Sequence, residues 1–151
     1  MGEPECRILV VEDDDAIRDL LLDVLTDEGY TVRAAGDGAA ALAILDGWQP
    51  ALIILDQLMP RMDGAAFRLA QRARPAIATI PTILLSAARN LPEQARSLDI
   101  AATIAKPFNL DELLSLAGEL IDAAARGTTG HAETPHPASS RRTTADNGIL
   151  L

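Results

Sequence analysis

The sequence predicts an α/β protein: an open, doubly wound sheet of five parallel strands with helices on both faces. Three observations carry this expectation. Short apolar runs alternate with amphipathic stretches five times along the chain. The runs are largely continuous, as in Leu52-Ile53-Ile54-Leu55, the pattern of strands covered on both sides. Five repeats suit an open sheet better than an eight-fold barrel.

The strands are expected at Arg7–Val11, Thr31–Ala35, Ala51–Leu55, Thr82–Ser86 and Ala101–Ala105. Between the first two, Ile17, Leu20, Leu21, Val24 and Leu25 recur at helical spacing. That helix stops near Glu28-Gly29, where glycine suits a left-handed cap. An Ala-rich second helix covers Gly38–Asp46 and ends at Gly47. The third begins at Asp63, a good N-cap, with Met62 and Phe67 spaced as a hydrophobic staple. A short fourth helix starts around Pro92, which a first turn tolerates. The fifth starts at Asn109, with Glu112 placed as in a capping box and Phe108 and Leu113 as its staple. Leu110, Leu113, Leu114, Ala117, Leu120 and Ile121 form its core stripe.

The chain length fits one folded domain, residues 1–126. Aromatic residues are only 3%, so the core must be built from Ala, Leu, Ile and Val. No apolar run is long enough for a membrane span, and Met1–Glu5 lacks the basic and apolar parts of a signal peptide. A lone Cys6 forms no intrachain disulfide, which fits a reducing cytoplasm. The net charge of -9 argues against a nucleic-acid surface and otherwise serves solubility. From residue 127 to 151 the composition shifts to Thr, Ser, Pro, Gly and His without periodicity, so a disordered tail is expected. Arg141-Arg142 in it reads as a solvated basic pair. No second, output domain is expected.

The residues with chemistry fall at the carboxyl ends of expected strands, where open α/β sheets bind ligands. Asp56 follows the run 51–55 and precedes Gln57-Leu58-Met59-Pro60 and then Asp63-Gly64. Glu12 and Asp13 close the run Ile8–Val11, and Lys106 follows the fifth run and precedes Pro107. Three acids and one lysine gathered there point to a divalent metal site beside a nucleophilic carboxylate, which is phosphoryl-transfer chemistry. Within the acid run 12–15, Asp14 and Asp15 suit a helix N-terminus and its dipole, whereas Glu12 and Asp13 belong to the pocket.

Four motifs occur in order. They are Val10-Val11-Glu12-Asp13-Asp14, Leu55-Asp56 with Met59-Pro60 and Asp63-Gly64, Leu85-Ser86-Ala87, and Ala105-Lys106-Pro107-Phe108. Each is weak alone. Together, over about residues 7–126, they resemble the response-regulator receiver domains of two-component signalling. The resemblance implies a flavodoxin-like strand order, 2-1-3-4-5, with the first and third strands neighbours about 4.8 Å apart. Asp13 and Asp56 then end side by side. It implies that Asp56 takes a phosphoryl group from the phosphohistidine of a histidine kinase or histidine phosphotransfer protein. Mg²⁺ would be held by Glu12, Asp13, Asp56 and the backbone carbonyl of Leu58. Lys106, before a cis Lys106–Pro107 peptide, would clamp the phosphoryl group, and the Ser86 hydroxyl would move to bond it. The implied function is a stand-alone cytoplasmic switch that alters binding of a downstream protein. Its only chemistry would be autocatalytic phosphotransfer and autodephosphorylation, without a nucleic-acid or membrane partner.

Two departures stand out. Thr103 occupies the fifth-strand position where receivers usually carry Tyr or Phe, so the usual aromatic rotation linked to Ser86 is not available. Leu58 and Ala88 flank the acceptor and offer no polar group to orient a hydrolytic water. Thr103 therefore leaves open a binding module that works without phosphorylation. A haloacid-dehalogenase-like phosphatase also uses aspartate and Mg²⁺, but it wants a second aspartate two residues after the nucleophile, and Leu58 stands there.

Overall fold

A computed structural model of the chain describes residues 6–59, 62–87 and 100–126. Five strands, β1 (Arg7–Val11), β2 (Thr31–Ala35), β3 (Leu52–Asp56), β4 (Thr82–Ser86) and β5 (Ala102–Ala105), form one sheet in the order β2-β1-β3-β4-β5. Every neighbouring pair is parallel. This is the 2-1-3-4-5 arrangement that the resemblance implies. Four helices are described: α1 (Asp15–Asp27), α2 (Gly38–Leu45), α3 (Gly64–Arg72) and α4 (Leu110–Arg126). The helix expected near Pro92, the residues Pro60 and Ala88, and the segment 127–151 lie outside the described residues.

Alternation along each strand divides the core into two layers. Ile8, Val10, Leu52, Ile54, Ile83 and Leu85 face α1 and α4, where they meet Leu21, Leu25, Leu113 and Ala117. Leu9, Val11, Ile53, Leu55 and Leu84 face α2 and α3, where they meet Ala41, Leu45 and Phe67. Both sides of β1, β3 and β4 are thus covered, which is why those strands read as continuous apolar runs. The edge strand β2 alternates between exposed and partly buried residues, and Arg33 is accommodated on its open side. Each fully buried Leu or Ile contributes roughly 1.5–3 kcal/mol against exposure.

Capping fixes where the helices begin. Asp14, Asp37 and Asp63 each accept a hydrogen bond from the third backbone N–H of their helix, Ile17 at 2.9 Å, Ala40 at 2.8 Å and Ala66 at 2.9 Å. Asn109 does the same for Glu112 at 3.2 Å. These contacts satisfy N–H groups that a helix leaves unpaired at its start. Gly29 ends α1 at φ 102°, the left-handed conformation that the sequence implies there. Strand and helix boundaries otherwise differ from expectation by about one residue, as at the starts of β3 and β5.

Candidate active site

The strand order brings four chain segments to one rim of the sheet. Val11 pairs with Leu55 in register, so the next residues, Glu12 and Asp56, emerge side by side. Asp56 in turn pairs with Leu85, one residue before Ser86. Ser86 pairs with Ala105, and its carbonyl accepts from the Lys106 backbone N–H at 2.9 Å. The ladder therefore delivers Glu12, Asp56, Ser86 and Lys106 to one place.

The central contact is an ion pair. Lys106 Nζ donates to Asp56 Oδ1 at 2.9 Å and lies 3.6 Å from Glu12 Oε1. Glu12 is 1% exposed, Asp56 3% and Ser86 2%. Asp13 is exposed, on the open side of the cluster. Carboxylate oxygens of Glu12, Asp13 and Asp56 all lie within 4.8 Å of one another.

Burial and crowding set the charges. Burial pushes the Glu12 carboxyl up to about 7, and the nearby charge of Asp56 adds to the effect. The Asp14 N–H, which donates to Glu12 Oε2 at 3.2 Å, and the charge of Lys106 only partly offset this. For Lys106, burial acts downward, but the hydrogen bond to Asp56 and the charges of Asp56 and Glu12 outweigh it. The net shift is upward, so this ammonium stays charged at neutral pH.

The residues present fit a small divalent cation. Three carboxylates converge, and among the described residues a single lysine offsets them. Glu12 Oε1 is buried and accepts no hydrogen bond from the described residues, which leaves a lone pair that suits a cation. All the donors are oxygens, and Mg²⁺ needs only one or two protein carboxylates besides water and phosphoryl oxygens. Receiver domains generally bind Mg²⁺ at such an acidic cluster.

The start of α3 lies against the chain just after Asp56. The Gly64 N–H donates to the Gln57 carbonyl at 2.8 Å. A Cβ at Gly64 would sit 2.9 Å from both the Asp56 carbonyl oxygen and Gln57 Cα, so only glycine permits this approach. Leu58, two residues past Asp56, turns its side chain outward at 69% exposure, while Met59 is buried. On the other side the Lys106–Pro107 peptide is cis, and the buried ring of Phe108 anchors the chain beside the core facing α1 and α4. Thr103 lies half-buried on the edge strand β5, paired with Leu84.

The structure thus brings together Glu12, Asp13, Asp56 and Lys106, with Ser86 at the next strand end. It places Asp14 and Asp15 on α1, Asp14 as its N-cap. Sequence reasoning did not single out Arg18. Its guanidinium donates to the Glu12 carbonyl at 2.9 Å and pairs with Asp15. The only sequence signal was its position one turn after the acid run.

Comparison with known proteins agrees with this geometry. Residues 8–117 match the family model described as the response regulator receiver domain. The chain is 39% identical over 111 residues to the response regulator MprA of Mycobacterium ulcerans, covering 72% of this chain and 47% of that protein. It is equally similar to the transcriptional regulatory protein TcrA of Mycobacterium tuberculosis, at 39% over 111 residues, 72% of this chain and 43% of that one. The chain therefore spans about half the length of the curated relatives it matches. The structure of the chemotaxis protein CheY4 of Vibrio cholerae superimposes with a TM-score of 0.73 at 28% identity, over 78% of this chain and 99% of that one. With the sheet order, the acidic rim and the family match in agreement, the chain belongs to the response-regulator receiver family, the switch domains of two-component signalling.

Proposed function

We propose that this receiver accepts a phosphoryl group on Asp56 from a phosphohistidine of a histidine kinase or histidine phosphotransfer protein. The observation that carries the reading is the Lys106–Asp56 contact of 2.9 Å inside a ring of acids within 4.8 Å of one another. A carboxylate oxygen of Asp56 attacks phosphorus. The phosphorus–nitrogen bond breaks, its electron pair goes to the donor ring, and the protonated phosphoimidazole leaves as neutral imidazole. Lys106 follows the charge from the carboxylate to the phosphoryl oxygens. The Ser86 hydroxyl bonds another of those oxygens. Glu12, Asp13, Asp56 and the Leu58 carbonyl would hold Mg²⁺, which supplies neutralising charge to the phosphoryl group when bound. The domain catalyses nothing beyond its own phosphorylation and the loss of that phosphate. Its output is a changed affinity for a downstream protein in the cytoplasm.

The test is incubation with a small phosphodonor and Mg²⁺, read by intact mass. An acid-labile phosphate on the native chain and none on Asp56→Asn is the expected result. An equal gain by Asp56→Asn would refute the assignment.

A second reading rests on Thr103. A side chain this small on β5 cannot act as the aromatic reporter of the site, so the domain would bind its partner whether phosphorylated or not. Under the first reading, phosphorylation shifts partner affinity modestly, by about tenfold or less, which is at most roughly 1.4 kcal/mol. Under the second the two affinities are equal.

A further inference from the structure

We infer that Arg18 is a positioning residue for the Glu12–Asp13 pair and thereby for divalent cation binding, an inference that rests on the proposed site. Its guanidinium spans the β1–α1 turn. NH1 donates to the Glu12 carbonyl at 2.9 Å, and NH2 pairs with Asp15 in the first turn of α1. The side chain is 23% exposed, and its tip lies 3.4 Å from where a Cβ on Gly36 would stand, just past β2. Arginine suits this place because one rigid fork serves two acceptors at once.

The bonded carbonyl belongs to the peptide joining Glu12 to Asp13. That peptide is planar, so fixing its oxygen fixes the orientation of the Asp13 N–H and narrows the direction of the Asp13 side chain. Two other polar atoms of Glu12 are tied as well. Its backbone N–H donates to the Ala35 carbonyl at 3.0 Å, and Oε2 accepts from the Asp14 N–H at 3.2 Å. Arg18 completes this fixation from α1 without touching Oε1, which stays directed to the cluster. An exposed aspartate such as Asp13 gains its aim from the backbone beneath it, and that backbone is what Arg18 holds.

Calorimetric titration of the full chain with MgCl₂ at pH 8 tests this, using the native protein, Arg18→Met, Asp15→Asn and Asp13→Asn. Arg18→Met should weaken Mg²⁺ binding about tenfold, the range seen when an outer partner of a metal ligand is lost, while Asp15→Asn stays within about twofold of native. Melting temperatures are recorded in parallel. A merely structural arginine would lower the melting temperature and leave Mg²⁺ affinity alone. Native affinity in Arg18→Met, with binding lost in Asp13→Asn, would overturn the inference and leave the site standing. Native affinity in Asp13→Asn would overturn both. If Arg18→Met does not fold, Arg18→Gln is titrated under the same criteria, being too short to reach the carbonyl.

Discussion

Mg²⁺ affinity should collapse as the pH falls below 7, because Glu12 must lose a proton before it can serve the cation. Its carboxyl, 1% exposed and facing Asp56, is pushed up to about 7 from an ordinary 4.5. At pH 8 nearly all of it is ionised. At pH 5.5, one and a half units below that value, only about one molecule in thirty carries the charge, so apparent affinity should drop about thirtyfold. Stability of the metal-free protein depends on the same proton with the opposite sign. The folded state holds this proton more tightly than the unfolded chain does. The stabilisation is therefore fully present below about pH 4.5 and is lost as the pH rises through about 7. The shift corresponds to about 3 kcal/mol at most. Mg²⁺ should accordingly raise the melting temperature strongly at pH 8 and weakly at pH 5.5. Isothermal titration between pH 5.5 and 8, with thermal melts at each pH, reads both effects. Glu12→Gln should flatten the dependence. An affinity that is equal at pH 6 and pH 8 would refute the claim that a buried, proton-holding Glu12 belongs to the cation site.

Other perturbations separate the roles of neighbouring residues. Lys106→Met should cut phosphate acceptance from a small donor by about 10²–10³-fold, the usual cost of losing one transition-state charge contact, while Mg²⁺ binding does not weaken. Weaker Mg²⁺ binding in that variant would show that the lysine organises the acids rather than serving the phosphoryl group. Asp14→Ala should cost about 1 kcal/mol, near 4 °C in melting temperature, through the lost cap to Ile17 and spare Mg²⁺ binding. Asp13→Ala should do the reverse. Gly64→Ala should destabilise by about 1–3 kcal/mol, since its methyl would meet backbone atoms of Asp56 and Gln57; an unchanged melting curve would mean that the loop yields freely. The aspartyl phosphate should outlast that of a variant with polar residues at both Leu58 and Ala88, because neither native side chain aligns a water. A faster loss from the native protein would count against this.

The sheet was legible because each strand's environment is written in its own residues. Ile53-Ile54-Leu55 is apolar on both faces because both faces are covered, and this much needs no tertiary knowledge. Caps such as Asp63 and Asn109 were legible for the same reason: they act within three residues of themselves. Asp37 was not named as a cap, although the helix after it was expected to start at Gly38, as it does. The site residues were legible as members of motifs at strand ends, but their geometry was not. Nothing in the sequence fixes 2.9 Å between residues 56 and 106, since that distance follows from the register of β3, β4 and β5.

Contacts between elements that no motif marks were beyond reach. Trp48 lies buried with the guanidinium groups of Arg7 and Arg33 over its ring at 5.7 and 4.8 Å. Gln71, on α3, donates to the carbonyls of Ile77 at 2.8 Å and Ile80 at 3.2 Å and so closes the loop leading into β4. In a sequence, Gln71 and Arg18 are polar residues on amphipathic helices, and such residues usually meet solvent. What distinguishes them is that each reaches backbone carbonyls outside the strand ladder: Gln71 those of Ile77 and Ile80 ahead of β4, and Arg18 that of Glu12 just past β1. A carbonyl just past a strand end must find a donor if it is to be buried, and the nearest helix is where that donor can stand. The same reasoning joins fold to function at Glu12. Its side chain belongs to the acidic cluster, its backbone N–H still bonds the end of β2, and Arg18 holds the carbonyl at the junction between them.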